Sequence, residues 1–311
     1  MDVSVIVPCR NAGRFAPKMS AMLAAQDFAG TWEALFVDDS DPESAQWRGA
    51  AESAGMRVVP SRGRGASAAR NTALGIARGE VVHFVDVDDE IPPDYLSRMF
   101  AAADGVDFAW GDAEVVTEGR PPRPTRADGP GPAVGDVLEG GAVRDFVWRK
   151  CFGYRLRDLP KAILHGGLWR RCGRELGSVC WRAFRRSVVG DLRFAEGLRN
   201  GEDSVFLCAF AQRARTMRVA GPTGYRYLSR SDGSLASENA DAGLKLEGKF
   251  ALRDARRELD PSMSRWRGTF VLSVLETLRL GGPAAAFRYL CGRPLVRADA
   301  RCRAKYGKIC I

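Results

Sequence analysis

The chain has 311 residues, of which 45% are apolar and 27% charged, with a formal net charge of +9. That composition belongs to a globular protein with room for one large domain or two small ones, and it excludes a wholly disordered chain. Mean hydropathy is −0.21, and no run approaches the roughly 20 apolar residues of a membrane-spanning helix. Residues 1–8, MDVSVIVP, lack the basic start, long apolar core and small-residue cleavage site of a secretory signal, so the chain is expected in the cytoplasm. The charge is unevenly placed: residues 261–311 hold ten Lys/Arg against two Asp/Glu, whereas the rest is almost neutral. Such a distribution suggests one local electrostatic task, not a nucleic-acid-binding surface throughout.

In chain order, Val3–Val7 is a near-continuous apolar run ending at Pro8, and Phe15–Ala25 spaces its apolar residues helically. Ala34–Val37 is a second run, stopped by Asp38-Asp39. Residues 42–54 read as a helix, Arg57–Val59 as a short strand and Ala66–Ala77 as an alanine-rich helix. Val81–Val85 follows as a strand, stopped by Asp86-Val87-Asp88-Asp89, and Pro92-Pro93 open a helix through Ala103. Continuous β-rich runs alternating with helices predict an α/β fold with a mostly parallel sheet. Residues 119–135 contain nine Gly or Pro in seventeen, a density that predicts a long surface loop or flexible lid with no regular element. Beyond lie a Gly- and Arg-rich patch at 166–177, an apolar helix at Asp203–Ala211 and a mostly helical tail from about Lys245.

Eight cysteines, none in a CxxC pair, read as free thiols or small buried hydrophobes in a reducing compartment. With only His83 and His165, a zinc centre or a serine–histidine triad has little to build with. Carboxylates are the better candidates. Asp38-Asp39 and Asp86-x-Asp88-Asp89 mark two strand ends, where open parallel sheets bind ligands. Crowded there, they would repel one another unless a cation or basic group is present, and oxygen donors favour a hard ion such as Mg²⁺ or Mn²⁺. Helix capping is the plainer explanation for any one of them. Gly63-Arg64-Gly65-Ala66-Ser67-Ala68 opens a helix and could approach a phosphate with Arg62, Arg64 and Arg70. It also fits a dinucleotide fingerprint, though not after the first strand where one is expected, or it is a simple helix-opening turn. Glu202-Asp203 at a helix start are either dipole partners or a general base beside a hydroxyl.

VSVIVPCRN at 3–11, FVDDSD at 36–41, GRGASAARNTALGIARGEVVHFVDVDD at 63–89 and GEDSVFL at 201–207 occur in this order. Together they resemble the family 2 glycosyltransferases, inverting enzymes of the GT-A fold. WRAFRRSVVGDLRFAEGLRNGED at 181–203 and YRYLSRSDGSLA at 225–236 resemble the bacterial branch that builds surface polysaccharides. The resemblance implies a catalytic domain over 1–236, with a Rossmann-like sheet, and a basic helical extension over 237–311. It implies that Pro8 and its neighbours Arg10 and Asn11, with Asp39, line the nucleotide pocket, and that Arg70 lies near the diphosphate. Asp86 and Asp88 correspond to the two acids of the DXD motif, Asp88 as the metal ligand and Asp86 nearer the ribose, with Mn²⁺ or Mg²⁺ as cofactor. Asp203 corresponds to the catalytic base and Glu202 to an acceptor-positioning residue. The implied donor is a nucleotide sugar, by default a UDP-sugar, and the implied acceptor a bacterial surface glycan or its lipid-linked precursor. Arg10 and Ser40-Asp41 depart from the family's usual Tyr and Gly-Ser, which leaves the base open.

Other readings are a non-catalytic nucleotide-sugar-binding or interaction module, against which Asp88 and Asp203 are both present, and a nucleotidyltransferase. The latter expects a phosphate-loop lysine after the first strand, where this chain has Arg10 and Arg14. Residues 265–311 interleave apolar and basic residues, which predicts either a basic amphipathic surface on anionic lipid at the inner membrane face or an ordinary helical cap.

Overall fold

A computed structural model describes residues 1–44, 46–125, 131–152, 177–198, 201–229, 242–261 and 267–291. The 166–177 patch, but for Gly177, lies outside the described residues, as do His165, Cys172, Cys302, Cys310 and the chain beyond Cys291. So does the proposed boundary at 236/237. The described residues fall into two compact units. The first takes in Met1–Val147, Ser178–Gly197 and Phe206–Ser229; the second takes in Trp148–Gly177, Leu198–Val205 and everything after Ser229.

In the first unit, β1 (Val3–Cys9), β2 (Trp32–Asp38), β3 (Arg57–Pro60) and β4 (Val81–Phe84) pair in parallel in the order β3-β2-β1-β4. Helices α1 (Ala16–Ala24), α2 (Arg48–Ser53) and α3 (Ala66–Leu74) make the crossovers. The reason is visible in burial. Strands β1, β2 and β4 are covered along almost their whole length, as unbroken apolar runs require, while α1 buries Ala16, Met19, Ser20 and Leu23 at helical spacing. The chain winds outward from β1 to β3 and returns to β4 on the other side of β1. This places a topological switch point at the carboxyl ends of β1 and β4.

The sheet continues as β8-β5-β9-β7 with β5 (Phe108–Thr117), β7 (Val137–Glu139), β8 (Arg182–Arg185) and β9 (Thr216–Ser229). Strand β8 is antiparallel to both β4 and β5, whereas β9 runs parallel to β5. The expected α/β fold with a mostly parallel sheet is what the chain adopts. Phe84, Phe108, Phe184, Phe194, Phe206 and Phe210 form a ring-to-ring core with centroids 4.0–5.9 Å apart. Such pairs add to plain area burial.

Four local expectations need correction. The 42–54 helix is split into a 3₁₀ turn (Pro42–Ser44) and α2, with Trp47 between them packing on Phe36. Helix α3 stops at Leu74, short of Ala77: Gly75, its C-cap, is a poor helix former, and the chain turns on from there in right-handed backbone (φ −72°). Helix α4 (Tyr95–Ala102) starts after the proline pair: a residue before proline is driven from helical backbone, and Pro92 O instead accepts the Tyr95 N–H of a lead-in turn. The Gly/Pro-rich 119–135 segment does carry regular structure. Arg123–Pro124 forms β6 on β5, an edge position where proline is tolerated, and Thr125 N–H donates to Ala113 O.

Helix α5 (Gly141–Phe152), a short α6 (Arg186–Val189) and α7 (Glu202–Arg213) complete the elements up to β9. In the second unit, α8 (Ala242–Leu259) and α9 (Arg267–Leu290), the latter broken at Gly282, bury Leu246, Phe250, Ala285 and Tyr289 together. Arg253 donates to the carbonyls of Arg288 and Tyr289 and so satisfies the last turn of α9. Leu275, Leu278, Phe287 and Leu290 remain exposed. Among the described residues no helix is long and apolar enough to cross a membrane.

Candidate active site

The loops after β1 and β2 are stitched together. Asp39 N–H donates to Cys9 O (2.8 Å), and Asn11 N–H donates to Ser40 Oγ (2.8 Å). Asn11 sits in left-handed backbone (φ +50°), which Asn tolerates, and its Oδ1 accepts from Asp41 N–H. Pro8 is half-buried on β1 and Arg10 is exposed beside this junction.

The paired acids after β2 have different jobs. Asp38 is buried, takes the Arg48 guanidinium and accepts from Ser40 N–H at 2.8 Å. It shapes the turn. Asp39 accepts the Gly65 N–H at 2.6 Å and lies 3.4 Å from Arg64. Gly65 can offer that N–H because it holds φ +90° at the N-cap of α3. This N–H, one of the donors expected to face a phosphate, is therefore committed to Asp39. Arg64 also pairs with Asp41 at 3.0 Å; its hydrogen bond, then that of Asn11, keeps the Asp41 carboxyl below its ordinary range.

Arg70 is 3% exposed on α3 and brings Nη2 to 3.1 Å from Asp86 Oδ1, at the end of β4. Asp86 and Asp88 are both partly exposed. Asp89 behaves otherwise: it is 2% exposed, with Oδ2 accepting the Tyr225 hydroxyl (2.6 Å) and Oδ1 the Leu228 N–H (2.9 Å). Burial, then the neighbouring Asp86, pushes its pKa well up. The Tyr225 oxygen also accepts Asp86 N–H at 3.2 Å, so β9 holds the whole Asp86–Asp89 turn. Crowding of the strand-end acids is met inside the chain: Arg48 answers Asp38, Arg64 answers Asp39 and Asp41, and Arg70 answers Asp86. Neither Tyr225 nor Asn71, which ties α3 to the Phe194 segment, carries a local signal for its partner, 136 and 123 residues away respectively.

Among the described residues, no three His, Cys, Asp or Glu group to cage a metal. Asp86 and Asp88 nevertheless suit a hard cation of the kind held by one or two carboxylates and completed by substrate phosphates. His83 is no ligand. It is fully buried against Tyr95, with Nδ1 3.0 Å from Arg182 O, and burial lowers its pKa to about 4.

Glu202 and Asp203 occupy the first turn of α7, where the helix dipole favours negative charge. Both are half-buried, and they belong to the second unit, as does Gly201, which precedes them at φ +87°. Phe206, Leu207 and Phe210 of the same helix enter the core of the first.

Residues 4–161, half of the chain, match the family model described as glycosyl transferase family 2. The succinoglycan biosynthesis protein ExoO of Rhizobium meliloti (strain 1021) is 27% identical over 86% of this chain and 72% of its own length. The uncharacterized glycosyltransferase YibD of Escherichia coli (strain K12) is 27% identical over 72% of this chain, which spans 60% of that protein, under two thirds of its length. The crystal structure of S. aureus TarS 1-349 in complex with UDP-GlcNAc superposes with a TM-score of 0.64 at 21% identity, covering 99% of this chain and 88% of that one. That last likeness is one of fold.

Proposed function

Because the chain belongs to glycosyl transferase family 2, we propose that it is a metal-dependent, inverting enzyme of bacterial polysaccharide biosynthesis. It would move a sugar from a UDP-sugar to a hydroxyl of a surface glycan or its lipid-linked precursor. The succinoglycan role in ExoO's name and the UDP-GlcNAc in the TarS complex support the acceptor and donor classes. The observation that carries the reading is the buried Arg70 aimed at Asp86 at the switch point of a parallel sheet.

In this reading Pro8, Arg10, Asn11 and Asp39 receive the nucleoside, with Asp86 toward the ribose. Arg70, held in a dry site, faces the charge that builds on the departing diphosphate, where a fixed cation is worth most. Mn²⁺ or Mg²⁺ held by Asp88 and Asp86 would supply further charge stabilisation to the same leaving group. Asp203 accepts the proton of the attacking hydroxyl, with Glu202 positioning that acceptor. As the new bond to the anomeric carbon forms, the bond to the diphosphate oxygen breaks on the opposite face, and one displacement inverts the configuration. Catalysis is assigned to residues 1–236. The basic extension over 237–311, with Leu275, Leu278, Phe287 and Leu290 exposed, would rest on the cytoplasmic face of an anionic membrane.

Thermal unfolding with a panel of nucleoside diphosphates and nucleotide sugars, with and without Mn²⁺, tests the donor class. A ligand at a hundred times its Kd should stabilise the protein by about 3 kcal/mol. Asp88→Ala should abolish the Mn²⁺-dependent shift; Asp203→Asn should keep it and lose sugar transfer. No shift with any nucleotide sugar, or equal loss of binding in both variants, would sink these assignments.

A further inference from the structure

Helix α3 carries two adjacent side chains with different reach. Arg70 turns to Asp86, while Asn71 closes its carboxamide around a segment far along the chain. Asn71 Oδ1 accepts the Phe194 N–H at 2.8 Å, and Nδ2 donates to Phe194 O at 3.0 Å and to Glu196 Oε1 at 2.8 Å. Both backbone groups of Phe194 are therefore held by one side chain. The ring so fixed is itself a junction. It stacks on Phe206 of α7 with centroids 4.0 Å apart and planes within 4°, and meets Phe84 of β4 edge-on at 5.3 Å. The Arg70 guanidinium lies over its face at 5.3 Å.

Phe194 thus touches three things: the strand that ends two residues before Asp86, the arginine that pairs with Asp86, and the helix that opens with Glu202 and Asp203. We propose that Asn71 is a positioning residue for sugar transfer, acting through Phe194 on the Arg70 guanidinium and on α7. The inference rests on the reading of the previous section. The chemistry asks for an amide. An aspartate would keep an acceptor for the Phe194 N–H but offer no N–H to its carbonyl, and would set a carboxylate against Glu196. A loop tie without this role would affect melting alone.

The test compares wild type, Asn71→Asp, Asn71→Asp/Glu196→Gln and Phe194→Leu by UDP release from a panel of UDP-sugars with Mn²⁺ and water as the acceptor, so that each turnover yields UDP and the free sugar, at a temperature well below each protein's cooperative melting. Misplacing a group that acts on the transition state lowers kcat more than it alters KM, so Asn71→Asp should lose about tenfold or more in kcat with KM within about threefold. Glu196→Gln in the same chain should restore only the part of the loss that comes from the opposed carboxylates, because its amide can donate to the introduced carboxylate while the Phe194 carbonyl stays without its donor. Phe194→Leu should reproduce the kcat loss with Asn71 intact, which covers the case in which Asn71→Asp fails to fold. Wild-type kcat in a folded Asn71→Asp or Phe194→Leu protein overturns the inference alone. A wild type that binds no nucleotide sugar and releases no UDP overturns the functional reading, and this inference with it.

Discussion

The two halves of the sheet are built on different principles. In β3-β2-β1-β4 every strand is parallel, each crossover is local, and the pairing registers run without a slip. In β8-β5-β9-β7 the partners lie far apart along the chain. Strand β9 pairs with β5 across about a hundred residues, with register shifts after Trp110 and Asp112. Arg182, 1% exposed in β8, lies 3.7 Å from the Trp110 ring centroid and donates to Gly111 O at 2.6 Å. The first half delivers the strand-end acids. The second half holds one of those acid turns in place through Tyr225, Leu228 and the Arg226–Glu90 pair. The acids of one turn are thus neighbours in sequence while the groups that hold them still are not.

The largest effect should come from cutting the long-range hold. Asp89→Ala leaves the Tyr225 hydroxyl and Leu228 N–H without their buried acceptor and should cost about 3 kcal/mol in denaturant unfolding. It should also weaken Mn²⁺-dependent nucleotide binding. An unchanged midpoint and unchanged binding would show that the second half does not hold the Asp86–Asp89 turn.

An intermediate effect lies at the seam, where His83 of β4 meets the Arg182 carbonyl of β8. Burial lowers the ring's pKa to about 4, so between there and its ordinary value the unfolded chain binds more protons. Stability is full above the ordinary value and falls as pH drops. From pH 7.5 to 5 the loss from this group should be about 2 kcal/mol, and His83→Leu should flatten that part of the curve. An equal slope in the variant would place the acid sensitivity elsewhere.

The smallest should come from a purely local contact. Arg98 of α4 pairs at i,i+4 with Asp94, the residue at the N-cap of that helix, largely in solvent. Arg98→Ala should cost under about 0.5 kcal/mol and fade further in high salt. A cost comparable with that of Asp89→Ala would erase the contrast between local and distant contacts.

Much of the first half was legible. Val3–Val7, Ala34–Val37 and Val81–Val85 read as buried strands because burial on both faces demands unbroken apolar runs, and their ends marked the acids. Where local reading failed, a tertiary partner or a backbone detail had decided the matter. Proline and glycine density excluded β6, which exists because β5 offers an edge. Pro92-Pro93 signalled a helix start that the clash between successive prolines defers to Tyr95. The buried, structural roles of Asp38 and Asp89 were beyond local reading, since each has the same chemistry and near-identical neighbours as the acid beside it; only the resemblance singled out Asp39 and Asp88.

The sequence by itself determined the α/β class, the parallel half-sheet and the positions of the acids, because apolar periodicity and strand-stopping residues act over a few neighbours. Only the tertiary structure decided that β8 enters between β4 and β5, that Asp89 belongs to Tyr225, and that Asn71 grips Phe194. Those choices depend on which donor meets which acceptor far along the chain. An unsatisfied polar group in the core is costly, but the chain writes no local mark of the partner that satisfies it.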